Sequence, residues 1–307
     1  MKSLLIYKML FLLILTFSNC ETSEEASQSP PIEQEQSGKN GSQQEEQPKF
    51  IGEFFIQEDS IAYNGYEIVK LKKEVDYRDA CSPEYRNKPC IIPVFYTVIM
   101  REGRILAEFD DYYFSLGNGN DFALYPLLGG EAKQLFISQT APRSGRHYVV
   151  ELTSKPRVIF DSSDYEVGRE EVEILDLDND GVYEISLAVT AFYMVYGVSM
   201  AETPLPQVIF KYDLKAEKYL PANHIFQSNL LKDIEETKNH RSKDARSDVG
   251  RNLAILLDYI YAGKEEEGWA FFELEYNLPD KVTVKSDTLR VLRKAPAYRY
   301  IGEHRAN

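Results

Sequence analysis

The chain has 307 residues, 35 Lys+Arg against 49 Asp+Glu for a formal charge of −14, 43% hydrophobic residues and three cysteines. These figures exclude a fibrous repeat, a disulfide-dense miniprotein and a polytopic membrane protein. They also argue against nucleic acid as a partner, because phosphate contacts need clustered cations.

The first twenty residues read as an export signal. Lys2 and Lys8 form its positive end, the apolar run Met9 to Phe17 follows, and Ser18-Asn19-Cys20 ends it. The run is too short to span a bilayer as a permanent helix. The sequence around Cys20 resembles a bacterial lipobox, in which the cysteine is lipidated and the preceding peptide removed. Asn19 departs from the usual Gly or Ala, which makes this a relaxed form. The alternative is an ordinary signal peptide cut nearby. The expected boundaries are therefore 1–19 for the signal and 20–48 for a lipidated cysteine and its tether.

The tether, Glu21 to Pro48, consists of Glu, Gln, Ser, Gly and Pro with almost no large apolar side chain. It cannot bury enough surface to offset its ordering entropy. Its charge of −6 should extend it beyond the roughly 30 Å of a flexible chain of this length. With the signal's +2 and the tether's −6 removed, −10 remains for 49–307. That acidity disfavours anionic lipid and nucleic acid across the whole surface and suits a protein or cationic partner.

From Phe50 to about Tyr219 the texture is β. Two strand-like runs, Phe54 to Tyr63 and Tyr66 to Val69, flank Asn64-Gly65, a strong hairpin signal because both turn residues take positive φ. Cys81 and Cys90 come next, around a loop with proline near both ends. An even pair in an exported chain reads as a disulfide, worth roughly 2 to 3 kcal/mol on the chain-entropy model. Further strands are predicted at 91–100, 104–109, 133–138, 147–152, 157–160, 171–175, 183–196 and 207–212. Sliding the sequence by 50 places Phe122, Leu124, Leu127, Leu135, Ile137 and Thr140 on Val172, Ile174, Leu177, Ile185, Leu187 and Thr190. A period of roughly 50 is the size of one four-stranded propeller blade, although two copies close no propeller. The expected fold is mainly antiparallel β over 49–225, with partial propeller-like blades, and a helical C-terminal subdomain over 226–307.

The sharpest motif is Asp176-Leu177-Asp178-Asn179-Asp180-Gly181-Val182-Tyr183-Glu184. Oxygens at alternate positions converge when the chain turns tightly, Gly181 permits the turn, and hard oxygen ligands suit calcium. An EF-hand would need a bidentate acid at the twelfth position, where Leu187 stands, so the loop joins strands instead. The string Asp-Leu-Asp-Asn-Asp-Gly followed by Tyr-Glu-Ile closely resembles the calcium loops of FG-GAP and VCBS-type repeats, found in integrin alpha-subunit propellers and many exported bacterial proteins. That resemblance implies a structural Ca2+ held by side chains of Asp176, Asp178, Asp180 and Glu184 and by the Val182 carbonyl. An affinity matched to extracellular calcium would be roughly 10⁻⁴ to 10⁻³ M. The alternative is an acidic turn without an ion, in which four clustered carboxylates would repel one another. The equivalent segment of the first copy, Pro126 to Glu131, lacks those acids.

The last ninety residues change period. Asn229 to Ala245 is charged and helix-compatible. Leu253, Leu256, Leu257, Ile260 and Tyr261 recur at helical spacing, as do Trp269, Phe272 and Tyr276, and a third helix is predicted over 285–294. Leu256 and Tyr259 on the first helix, Gly263 at the turn, Gly268 and Phe272 on the second and Pro279 beyond resemble a tetratricopeptide-type hairpin. That family has alanine where Gly268 stands and normally repeats at least three times, and the alternative is an ordinary packed helical hairpin capping the β domain.

Enzyme signatures are largely missing: there is no Gly-x-Ser-x-Gly, no His-Glu-x-x-His and no phosphate loop. His147 lies in Arg143-Ser144-Gly145-Arg146-His147, read as a cationic turn for an anion or as a solvated hairpin tip. The leading expectation is a non-enzymatic lipoprotein of the bacterial cell envelope, anchored through lipid on Cys20. It would present a Ca-stabilised β scaffold to a protein or polymer partner. One alternative is an envelope hydrolase or inhibitor using acids such as Asp110-Asp111 or Asp161 to Asp164. Another is an assembly factor that docks partners on an apolar groove around Trp269 and Phe272.

Overall fold

The computed structural model describes residues 50–51, 54–76, 91–110, 120–141, 144–168, 172–193, 195–199, 202–239 and 245–304. The signal, Cys20 and its tether, the Cys81 and Cys90 pair, and Asp111 lie outside the described residues.

Three antiparallel meanders follow one another along the chain. Sheet I contains β1 (Phe50–Ile51), β2 (Phe54–Tyr63), β3 (Tyr66–Asp76), β4 (Ile91–Arg101) and β5 (Arg104–Asp110) in that order. Sheet II runs β6 (Asn120–Tyr125), β7 (Gln134–Ala141), β8 (Ser144–Leu152) and β9 (Pro156–Asp161). Sheet III runs β10 (Glu173–Leu175), β11 (Glu184–Ala188), β12 (Gln207–Asp213) and β13 (Lys218–Pro221). The β2–β3 hairpin turns at Asn64 and Gly65 with φ of 50° and 77°, the positive values expected of that pair.

The period of 50 is legible in the strand pairing itself. Leu124 pairs with Leu135 across β6–β7, and Ile174 pairs with Ile185 across β10–β11, each partner shifted by 50. Both hairpins are closed by eight residues, 126–133 and 176–183. The strand expected over 183–196 ends at Ala188. Val189 instead donates to Pro206 O and forms an isolated bridge to Val167, and the chain turns at Thr190, whose carbonyl accepts from Tyr193 N.

The sheets stack through alternate faces. Leu135, Ile137, Tyr148, Val150 and Leu152 of sheet II pack on Tyr66, Ile68, Ile99 and Phe109 of sheet I. Phe136, Val149 and Phe160 point the other way, into a second core with Ile185, Leu187, Val208 and Phe210 of sheet III. Period-2 strands buried on both faces read as nearly continuous apolar runs, as in Leu135-Phe136-Ile137.

Five helices complete the body: α1 (Gln227–Asn239), α2 (Ala245–Tyr261), α3 (Glu265–Glu275), α4 (Lys281–Leu292) and α5 (Pro296–Glu303). The apolar stripe of α2, Leu253, Leu256, Leu257 and Ile260, joins the core of sheets II and III. Leu230 and Ile234 of α1 pack with Ile209 of β12 and Ile255. The predicted third helix is α4, four residues longer at its start, and a fourth segment, α5, opens on Pro296 at a position that favours proline. Among the described residues no helix is long and apolar enough to cross a membrane.

The α2–α3 hairpin forms as predicted, and the glycine at position 268 has a steric cause. A Cβ on Gly268 would lie 2.9 Å from Leu256 O and 2.9 Å from Tyr259 Cβ. Gly268→Ala gains about 1 kcal/mol of helix propensity but overpacks a helix contact at a cost of about 1–3 kcal/mol. The expected result is a lower denaturant midpoint for Gly268→Ala; an unchanged or higher midpoint would show that the helices can separate freely.

Candidate cation site at the β10–β11 turn

The eight residues between β10 and β11 form a tight turn organised by their own carboxylates. Asp176 accepts from Asp180 N through Oδ1 and from Gly181 N through Oδ2, each at 3.1 Å. Asp180 Oδ1 accepts from Val182 N at 2.7 Å, and Glu184 Oε2 accepts from Leu177 N at 2.8 Å. Asn179 and Gly181 take φ of 60° and 85°, which an Asn and a Gly tolerate best. The turn is docked on sheet II, where Leu127 O accepts from Tyr183 N at 2.8 Å, and on β13, where Tyr219 Oη donates to Tyr183 O at 3.1 Å.

All four candidate carboxylates therefore gather on one turn, and oxygens of Asp176, Asp178 and Glu184 lie within 4.8 Å of one another. Hard oxygens at that separation are a donor set that fits calcium. Val182, expected to offer its carbonyl, is fixed through its N–H.

A residue outside the motif takes part. Lys211 Nζ donates to Asp178 Oδ2 at 2.9 Å, Asp180 Oδ2 at 2.7 Å and Glu184 Oε1 at 2.9 Å. Strand register puts it there: Ile185 pairs with Phe210, so Lys211 is the next residue of β12 beside Glu184. Burial disfavours the ammonium's charge, but its hydrogen bonds to Asp180, Asp178 and Glu184 outweigh it and hold the Lys211 pKa above its ordinary value. In return, Lys211 holds the Asp180 carboxyl below the usual range. Glu184 is 1% exposed, and a buried carboxylate is tolerated when paired and hydrogen-bonded on both oxygens.

The sister turn in sheet II solves the same problem without charge. Gln134, the residue 50 before Glu184, is also buried, and its Oε1 accepts from Leu128 N at 3.1 Å.

Asp161, Arg146 and His147 belong to the scaffold. Asp161 receives two bonds from Arg146, at 3.2 and 2.8 Å, and caps the 3₁₀ turn Ser162–Tyr165 through Ser163 N. Burial raises its pKa, and the bonds from Arg146 and Ser163 more than reverse that, leaving the carboxyl below its usual range. His147 is fully buried in β8, stacked on Phe136 at 6.0 Å, with its N–H bonded to Ser162 Oγ. It is neither a hairpin tip nor an anion site.

Phe272 is fully buried in the core, and Trp269 packs on it edge-to-face at 5.8 Å beneath the Lys285 ammonium. The groove expected at that pair is filled. The exposed apolar side chains of this region are Leu274, Leu278 and Val282. A cleft of about 260 Å³ beside the turn includes Glu173, Glu184 and Asp233 in its lining.

Comparison with protein families, characterised proteins and solved structures finds no match for the chain.

Glu184→Ala removes the acceptor of both Leu177 N–H and Lys211 and is expected to cost about 2–4 kcal/mol by denaturant unfolding. Glu184→Gln, which copies Gln134, is expected to cost less than half as much. Equal costs for the two would mean that the charge, not the turn hydrogen bond, carries the contribution. Asp258 supplies a separate, pH-dependent term. Burial on α2, with repulsion from Asp233 as the smaller cause, pushes its carboxyl up from 3.8 to about 7. The native state then binds more protons than the unfolded chain between those values, so this group's contribution falls as pH rises from about 4 to 7 and is flat above. Melts across that range should show Asp258→Asn gaining stability over the parent as pH rises; a difference that does not change with pH would refute the shifted carboxyl.

Proposed function

We propose that the chain is an exported binding protein of the bacterial cell envelope, anchored through lipid on Cys20. In this reading the acidic tether holds the three-sheet body off the membrane, and the body presents its surface to a protein or polymer partner. The 176–184 turn is its stiffened corner, with calcium as the external ion its oxygens would take. One observation carries the choice of scaffold over catalyst: Asp161 and the acids of the 176–184 turn are engaged in holding the body together. Asp161 is bound by Arg146 and Ser163, and Asp178, Asp180 and Glu184 are bound by Lys211. Hydrolysis remains the second reading because the cleft beside the turn gathers three carboxylates, although Glu184 among them is already committed on both oxygens.

Two measurements on the full chain test the proposal. Labelled palmitate should enter the parent expressed in a bacterial host and be lost in Cys20→Ser; labelling that survives the substitution would remove the anchor. Calcium at ten times its dissociation constant should add about 1.4 kcal/mol and raise the melting temperature of the parent, and Asp178→Ala should lose that gain. Identical melts in calcium and chelator would remove calcium from the turn.

A further inference from the structure

We propose that Lys211 is the resident cation of the 176–184 turn and an internal competitor for calcium, so that a divalent ion enters only by displacing the lysine ammonium. This deepens the calcium reading above and rests on it for the identity of the external ion. The ammonium and a divalent ion need the same oxygens. Asp178 and Glu184 belong to the trio whose oxygens converge within 4.8 Å, and both already accept from Lys211 Nζ at 2.9 Å. A second cation placed among them would face a positive charge only a few ångströms away, and like charges at that distance repel.

Two features explain why a lysine serves here. The two oxygens of Asp176 accept from the backbone of Asp180 and Gly181, while Lys211 is bonded to Asp178, Asp180 and Glu184. The counterpart in sheet II closes on the neutral Gln134, with no charge to balance. Putting Glu184 at that buried position creates a negative charge that must have a partner, and β12 delivers one in register. Lys211 also has somewhere to go. A cleft of about 510 Å³ is lined by Lys211 together with the acids Asp213 and Glu303, so a displaced ammonium would find other carboxylates nearby.

The experiment has two arms on the full chain. In the first, calorimetric titration with calcium chloride compares the parent, Lys211→Met and Lys211→Arg. Removing the competing charge should tighten calcium binding at least tenfold in Lys211→Met, while Lys211→Arg, which keeps the charge, should bind no tighter than the parent. Equal affinities in parent and Lys211→Met would overturn the competition and leave the calcium reading standing. Binding by Lys211→Met alone would support the competition and sink calcium as a ligand of the natural chain. Binding by neither would overturn both. The second arm needs no substitution and decides the matter if Lys211→Met does not fold. Amine acetylation followed by mass spectrometry should modify Lys211 at least tenfold more slowly than the exposed Lys215 in chelator, and saturating calcium should abolish that difference. Equal rates in chelator would show an ammonium that is not held in the turn, and slow acetylation that calcium leaves unchanged would show no displacement; either would overturn the assignment.

Discussion

Glu184 is a carboxylate buried to 1% exposure at the start of β11, and the corner where sheets II and III meet is arranged around keeping it bonded. One oxygen closes the β10–β11 turn through Leu177 N–H, and the other receives the Lys211 ammonium from β12. The turn so closed gives Tyr183 N–H to Leu127 of sheet II and Tyr183 O to Tyr219 of β13. Gly181 O lies so near Gly129 that a Cβ there would approach to 2.9 Å. Shifting the turn would therefore disturb two sheets at once, since close-packed contacts transmit displacement.

That corner sits over a core built by alternation. Sheet II is covered on both faces, by sheet I through Leu135, Ile137 and Tyr148 and by sheet III and α2 through Phe136 and Val149. The tyrosines and phenylalanines that enrich the sequence appear here as edge-to-face pairs, such as Phe160 with Phe210 at 4.9 Å and Phe109 with Tyr148 at 4.8 Å. Such pairs add to the burial of large rings. The helices extend the same core rather than forming a separate one, because Leu253, Leu256 and Phe272 pack with Val208 and Phe210.

What the sequence revealed were features whose cause is local. Asn64-Gly65 specifies its turn through the φ values of two residues, and the α2 stripe repeats every three or four residues; the offset of 50 reappears as paired registers because both hairpins have the same loop length. What it concealed depends on pairings between distant segments. Lys211 reads as one polar residue in an apolar strand, and only the β11–β12 register, set across 189–206, shows that it faces Glu184. His147 reads as a solvated hairpin tip in a charged context, yet strand alternation turns His147 inward and Arg146 toward Asp161. The 183–196 run reads as one strand because nothing in Val189 to Tyr196 signals a break; it ends where the chain turns at Thr190, whose carbonyl accepts from Tyr193 N.

The contrast between Gln134 and Glu184 bears on what the ion pair contributes. Two turns of equal length, 50 residues apart, are each closed by a buried side-chain oxygen accepting a backbone N–H, so closure itself needs no charge. A buried ion pair generally gains little over a neutral or apolar replacement, because desolvation offsets the attraction. Its consequence lies in the alternatives it forbids. A slip of one residue between β11 and β12 would turn Lys211 to the opposite face of sheet III, leaving Glu184 buried and Asp178 and Asp180 crowded without a cation. A neutral glutamine in place of Glu184 would suffer no such penalty. The charge pair thus makes the misregistered sheet costly, while the correctly registered one is held by the same apolar contacts that would be present in either case.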